Sequence, residues 1–451
     1  MSATDTEHLL QIAQKLAGQA APGEQVEAYV AREREASVRV YEGEIEHLTS
    51  AQVEGIGVRV IKDGRVGFAY AGTLDDASLA EVLADARDNV AFGTPDEWAG
   101  LAEPDGVAPA AVEMWREQLA TFPTEDKVAL AKDLERVTMG LDRRLRVEDA
   151  NYADVLAESA VATSTGIAAS GRATGCYVSV STMADDGDET QTGFGFSVGR
   201  APDDIDIAKA AADGADRALR MLGATKPTSR RLTVVLDPFV TAQFLGVVSA
   251  TLNGESVLKG RSLFAQRVGE LVAAPFVTLV DDATNPLAFS ATPLDGEGLA
   301  TRRTTLIDDG VLRRFVQNAY SGRRSGTAST GNATRGGFKS TPGCGCLALS
   351  LAPGTRSQPD LIADVDDGVL IQMVQGLHSG VNPISGDFST GASGLLIGGG
   401  EVGAPVREFT IGSTIQRMLQ DVVEIGADVE WLPMSAAGVS LVIRDVTMSG
   451  A

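Results

Sequence analysis

The chain reads as an α+β protein of two domains in which antiparallel sheets carry packed helices, and three observations predict this. Long runs of period-two alternation, joined by Asp-Gly and Gly-containing turns, occupy residues 26–71 and 145–199. Around them lie stretches with apolar residues at three- and four-residue spacing, at 4–17, 75–90, 124–139 and 205–222. The length, 451 residues, exceeds the size at which a single hydrophobic core usually stops growing. Strands that come in runs, without a helix after each one, argue for antiparallel pairing.

Taken in order, Thr4 and Glu7 have capping-box spacing ahead of Leu9, Leu10, Ile12, Ala13, Leu16 and Ala17, which predicts an opening helix that stops at Gly18. His8 falls in its first turn as a surface residue. Lys62-Asp63-Gly64-Arg65 joins two alternating runs, a strong hairpin signal, and His47 in the preceding run reads as a half-exposed strand residue. Leu79, Val82, Leu83, Ala86 and Val90 give the next helix its face. Residues 93–123, with Pro95, Pro104, Pro109, Pro123 and two tryptophans, predict an irregular excursion over the surface. A helix at 124–139 precedes β runs at 145–164, 167–183 and 190–199. After the helix at 205–222, residues 223–229 (GATKPTS) have linker composition, which divides the chain into an N-terminal α+β domain, 1–225, and a β-rich C-terminal one, 226–451.

The second half opens with a buried strand at 232–236 and an apolar helix at 239–252. A hairpin follows (304–307 and 311–316, around Asp308-Asp309-Gly310), and an alternating run closes the chain at 439–448. Residues 320–345, with Arg323, Arg324, Arg335, Lys339 and several glycines, are too long for a mere connection and predict a functional or disordered loop.

Composition narrows the function classes. The net charge of −23 opposes binding to a phosphate backbone, so no nucleic-acid partner is expected. No apolar run is long enough to cross a bilayer, and residues 1–18 lack the basic start of a signal peptide, so a soluble cytoplasmic protein is expected. Three cysteines, Cys176, Cys344 and Cys346, fit a reducing compartment. Cys344-Gly-Cys346 has the look of a metal half-site, but no second half is found, and the favoured reading is two small buried or loop thiols.

The stretch 376–428 is the most distinctive. A Gly/Ser/Asn/Pro-rich loop at 377–394 carries His378, Asn382, Asp387 and Ser389, and suits either a binding loop at the rim of a cavity or a structural crossing. A run at 395–406, interrupted by glycines 398 to 400, predicts a strand with a bulge. Ile411, Ile415, Met418, Leu419, Val422 and Val423 predict one buried helical face over 410–426. Three words here, VNPISGDFSTGASG (381–394), EVGAPV (401–406) and FTIGSTIQRML (409–419), together resemble the TldD/PmbA family, once described as modulators of DNA gyrase and regarded as metallopeptidase subunits. The similarity extends more weakly over the whole chain, including NGESVLKGRSLFA (253–265).

In the catalytic branch of that family the helix after the strand resembling LTVVLDP carries H-E-x-x-x-H, two zinc-binding histidines and a glutamate that activates water. Three protein ligands and an open position are what such chemistry needs. Matching back from KGRSLF (259–264), the place falls on Leu245-Gly246-Val247-Val248-Ser249-Ala250, and the family's third ligand, a cysteine near the C-terminus, has no counterpart because residues 429–451 contain no Cys or His. The resemblance is therefore to the PmbA (TldE) branch. It implies no catalytic or metal-binding residue here, zinc only in a TldD-like partner, and a heterodimer or homodimer acting on flexible peptides. Two other readings stand beside it: a self-dimerising peptide-binding module, and a metal-independent hydrolase in which His378 and Asp387 activate Ser385 or Ser389.

Overall fold

The computed structural model describes residues 3–451, with side chains from residue 6 onward. Helix α1 (Ala3–Ala17) buries Leu9, Ile12, Ala13 and Leu16; the expected capping side chain of Thr4 lies outside the described residues. Strands β1 (Glu24–Tyr41), β2 (Glu44–Lys62) and β3 (Arg65–Ala71) form a meander. Its Asp-Gly turn takes the positive φ values, 49° at Asp63 and 69° at Gly64, that match the strand twist. Helix α2 (Asp76–Val90) is capped by Asp75, whose carboxylate accepts the N–H groups of Ala77 and Ser78. The excursion that follows holds only the short α3 (Glu117–Ala120) before α4 (Thr124–Met139).

Strands β4 (Leu145–Thr163), β5 (Ala168–Asp186) and β6 (Glu189–Gly199) complete a six-stranded antiparallel sheet of order β3-β2-β1-β4-β5-β6. Helices cover one face of it. Helices α1 and α2 enclose Val26, Val30, Ile56 and Val58, while α4 packs with Val38, Tyr152 and Val178. Helix α5 (Ile207–Leu219) lies so close to β6 that a Cβ at Gly195 would stand 1.8 Å from the carbonyl oxygen of Ala210.

The second half starts at β7 (Arg230–Leu236) and α6 (Pro238–Thr251), which Asp237 caps and Pro238 begins. After α7 (Gly254–Leu258) come the short strands β8 (Leu279–Asp282), β9 (Arg303–Asp308) and β10 (Val311–Leu312). Helix α8 (Ala319–Ser325), the ribbon of β11 (Ala333–Thr334) and β12 (Gly343–Cys344), and β13 (Leu349–Leu351) follow. Beyond α9 (Gln358–Ala363) stand β14 (Asp367–Gln375), α10 (Leu377–Gly380), β15 (Asp387–Gly398), β16 (Glu401–Thr414), α11 (Ile415–Gln420) and β17 (Val422–Ile425). The chain ends through β18 (Glu430–Trp431), β19 (Ala437–Gly438) and β20 (Leu441–Ser449). The main sheet runs β16-β15-β14-β7-β20-β17; β14 and β7 are parallel and its other pairs antiparallel.

Several expectations need correction. Residues 410–426 are not one helix: β16 continues to Thr414, six residues are helical, and β17 follows. Phe409 and Ile411 are buried at strand spacing, and only Ile415, Met418 and Leu419 by a helical turn, so two periods had merged into an apparent single one. The run at 395–406 is a hairpin, because Gly399 and Gly400, at φ 57° and 81°, form its turn; the bulges lie earlier, at Ala392/Gly394 and Leu395/Ile397. The loop 377–394 becomes strand at Asp387. The second arm of the 304–316 hairpin stops at Leu312, and the helix expected at 205–222 spans only Ile207–Leu219.

Segment 320–345 is neither disordered nor a simple loop; it clasps the two halves. Arg335 Nη2 donates to Glu27 Oε1 of β1 at 2.6 Å, and Arg59 of β2 donates to Glu27 Oε2 at 2.7 Å. Arg59 also lies 3.8 Å from the Glu297 carboxylate, which accepts the N–H of Ala319. The Arg335 guanidinium stacks over the Tyr29 ring at 4.5 Å. Phe338 fits against β2 because Gly55 and Gly57 have no side chain: a Cβ at either would come within 2.4 Å of it. Arg323 donates to the carbonyls of Trp98, Gly100 and Leu101, and Tyr320 to Asp96. Elsewhere Lys209 of α5 meets Glu430 at 2.8 Å.

The side chains of both Arg335 and Glu27 are 2% exposed, and without Arg335 the Glu27 carboxylate keeps only Arg59, which also faces Glu297. Arg335→Ala should lower the unfolding free energy by about 3 kcal/mol in a denaturant titration, the low end for breaking a buried pair because Arg59 still faces Glu27. A loss below about 1 kcal/mol would mean that the clasp contributes little.

Candidate functional site

Three places could carry chemistry. The first is α6, the helix that the sequence resemblance singles out. Leu245, at 0% exposure, belongs to the main core with Phe244, Val248 and Leu252, while Gly246 and Ala250 face outward. Nothing stands within 4 Å of where a Cβ of Gly246 would be, and the Ser249 hydroxyl is held by the Gly246 carbonyl at 2.7 Å. The C-terminal segment packs on this helix through β19, where Gly438 lies against the Pro238 backbone. Neither surface offers a nitrogen, thiolate or carboxylate at these positions, so they do not fit a zinc ion. Among the described residues no group of three or more His, Cys, Asp or Glu side chains is arranged to hold a metal.

Cys344 and Cys346 are packed in the core, as is Cys176 in the first half. Burial pushes the Cys344 thiol up to about 11 and the Cys346 thiol well above its ordinary value. The Cys344 thiol donates to the Val316 carbonyl at 3.3 Å. They behave as small buried groups.

The second place is the crossing at 377–394. Asn382 Oδ1 accepts the N–H groups of Ile384 and Ser385, and the Asn382 N–H donates to the Asp387 carbonyl at 2.9 Å. Ser385 Oγ donates to Asp387 Oδ2 at 2.7 Å. Gln416 of α11 donates to the Ser385 carbonyl, and Leu263 N–H to that of Pro383, tying the turn to its neighbours. His378, in α10, and Ser389, in β15, are exposed and hydrogen-bond neither each other nor Asp387 among the described residues. The structure thus joins Asn382, Ser385 and Asp387 as a turn and leaves His378 and Ser389 apart. The serine contacts needed for a nucleophile and base are absent, since Ser385 is bound to an acceptor that orients it within its own loop.

The third place was not singled out from sequence. A cavity of about 570 Å³ opens between the uncovered face of the first sheet and the second half, lined among others by Tyr29, Ser159, Arg172, Asp295, Thr334 and Arg335. Asp295 Oδ1 accepts the N–H groups of Glu297 and Leu299, and Oδ2 that of Ala333. Burial, then the neighbouring Glu297 carboxylate, push Asp295 up to about 7 against those donors. Glu297 is raised by burial against the pull of Arg59. For Glu27 burial acts upward too, but the guanidinium groups of Arg335 and Arg59 outweigh it and hold the carboxyl below its ordinary range. In the sequence Asp295 and Glu297 sit in Asp-Gly-Glu-Gly, whose turn-forming residue types give no sign of burial.

Comparison with known proteins sets these places in context. Models of the PmbA/TldA metallopeptidase match in three consecutive pieces: domain 1 over residues 26–90, the central domain over 117–222 and the C-terminal domain over 229–450. Metalloprotease PmbA of Escherichia coli O157:H7 is 25% identical over 396 residues, 87% of this chain and 85% of that protein. A metalloprotease TldD homolog of Haemophilus influenzae is 26% identical over 88% of this chain and 86% of its own. Among solved structures, TldE from Thermococcus kodakarensis superposes with a TM-score of 0.89 at 24% identity, over 98% of this chain and 99% of that one. A Thermotoga maritima protein described as a modulator of DNA gyrase gives 0.88 at 24% identity, over 99% and 100%. These superpositions establish the shared fold.

The raised acid makes stability depend on pH in a defined sense. Between the ordinary aspartate value of 3.8 and about 7 the folded protein keeps a proton on Asp295 that the unfolded chain has released. Its contribution is therefore full below the ordinary value and lost as pH rises through about 7. In Asp295→Asn the fall of unfolding free energy across that window should be shallower than in the parent, measured by denaturant titrations at a series of pH values. Equal slopes would contradict this assignment.

Proposed function

Because this chain belongs to the PmbA/TldD metallopeptidase family, we propose that it is the PmbA/TldE-type subunit of a two-subunit peptidase. Its TldD-like partner would carry H-E-x-x-x-H, the zinc and the water-activating carboxylate, and the pair would cleave flexible peptides. The observation that carries the reading is α6: the helix keeps its packing through Phe244, Leu245 and Val248 while Leu245, Gly246 and Ala250 offer no donor. Replacing donors by Leu, Gly and Ala removes metal affinity and the general base without unsettling a helix that remains buried on one side. The role left to this chain is to shape and cover a peptide path next to a metal held elsewhere, and its net charge of −23 supports peptide over nucleic acid as the partner.

The test is cleavage of an unfolded peptide by this chain alone, by a TldD-like subunit alone, and by the two together. Chelator-sensitive cleavage should need the mixture, or rise at least about tenfold in it. Chelator-sensitive cleavage by this chain alone would overturn the reading.

A further inference from the structure

Strand β3 pairs with β2 only over Ile56–Lys62, so the stretch of β2 from residue 44 to residue 54 has a sheet partner on one side and none on the other. Residues 44–53 are all exposed. At about 3.4 Å per residue this is roughly 35 Å of open sheet edge. Such edges are usually blunted by Lys, Pro or an inward charge. Here 48–53 reads Leu-Thr-Ser-Ala-Gln-Val, without any of these, and Ile45, Leu48 and Val53 are 44%, 45% and 50% exposed.

We propose that this edge of β2 is a strand-addition site for an extended, basic peptide segment. Alternate side chains of an added strand would pass over Val53 and Ala51 toward Glu33 and Glu35, which β1 places directly opposite those two residues. Glu33 borders a hollow of about 180 Å³ at the edge, which Lys339 also lines, and Glu35 one of about 460 Å³ that starts at Thr49 and Ala51 and runs across β1, β4 and β5 to Phe289. Glu46 and Glu54 are already paired with Arg39 and Arg32. Glu33 and Glu35 are exposed and enter no ion pair among the described residues. Charge also decides against a second copy as the occupant: antiparallel self-pairing centred on Thr49 sets Glu44 against Glu54, between two chains of net charge −23. Main-chain hydrogen bonds would supply affinity without regard to sequence, and the carboxylates a preference for Lys or Arg. The proposal deepens the peptide-handling role above and rests on that reading for where such a segment comes from.

The test is fluorescence anisotropy of a labelled peptide of about ten residues, alternating lysine and threonine, with the full chain and no metal or partner subunit. Binding is expected, with none for the glutamate/threonine analogue. An added strand pairs through alternate residues, so N-methylating alternate amides in one phase should abolish binding and in the other leave it. Glu33→Lys with Glu35→Lys, both on exposed positions, should weaken it at least about tenfold. No binding, equal loss in both methylation phases, or indifference to the charge reversal would overturn the proposal, as would a dimer of the chain joined through this edge. Since cleavage is not measured, failure here leaves the subunit role standing, and a failed reconstitution leaves this site standing.

Discussion

The ion pair between Arg335 and Glu27 decides how the rest of the molecule is arranged. Each half can bury one face of its sheet under its own helices or strands, and the uncovered face of the first sheet meets the second half through small apolar clusters, Val161 and Ile167 with Leu299 and Ala319 among them, with this buried charge set beside them. Two guanidinium groups and two carboxylates share that junction, in a setting where an unpaired member would be costly and the full set is tolerable. Because Arg335 leaves the ribbon of β11 and β12, the whole of 320–345 has to be ordered for the pair to exist. The cavity beside it, and the raised Asp295, follow from the same arrangement: the halves are pinned at points, and space remains between the pins.

The second constraint concerns α6. A helix that lies between a sheet and the C-terminal segment is held by its buried side, so its outward positions can change chemistry without a change of fold. Leu245 even adds a core residue at the position where the proposed function puts a zinc ligand in the partner. The turn at 381–386 shows the converse. Its residue types look chemical, yet Asn382, Ser385 and Asp387 are used up in closing the loop, as Asx turns commonly are.

How far the molecule could be read from its sequence depends on how local each signal was. The first half was legible almost throughout, because the 62–65 turn, the apolar face of α2 and the alternation of β4 to β6 are each set by neighbours in the chain. The region 376–426 was legible as a family signature but not as structure. Its strands are rich in Gly, Ser and Thr, which mimic loops, and the apolar residues flanking Thr414 fit both a strand period and a helical one. The junction charges were invisible for a different reason. Glu27, the pair Asp295 and Glu297, and Arg335 come from three separate segments, and nothing in any one of them distinguishes a buried charge from a solvated one.

The account turns on this chain having no catalytic metal of its own, and its most direct test is zinc stoichiometry. The purified chain is equilibrated with zinc, freed of weakly held ions on a desalting column and analysed for metal per chain. The account predicts a content far below one zinc per chain, unchanged by Ser249→Ala, since the outward positions of α6 supply too few donors to retain the ion. One tightly held zinc per chain would contradict it and would mean that ligands converge from segments assigned here to packing.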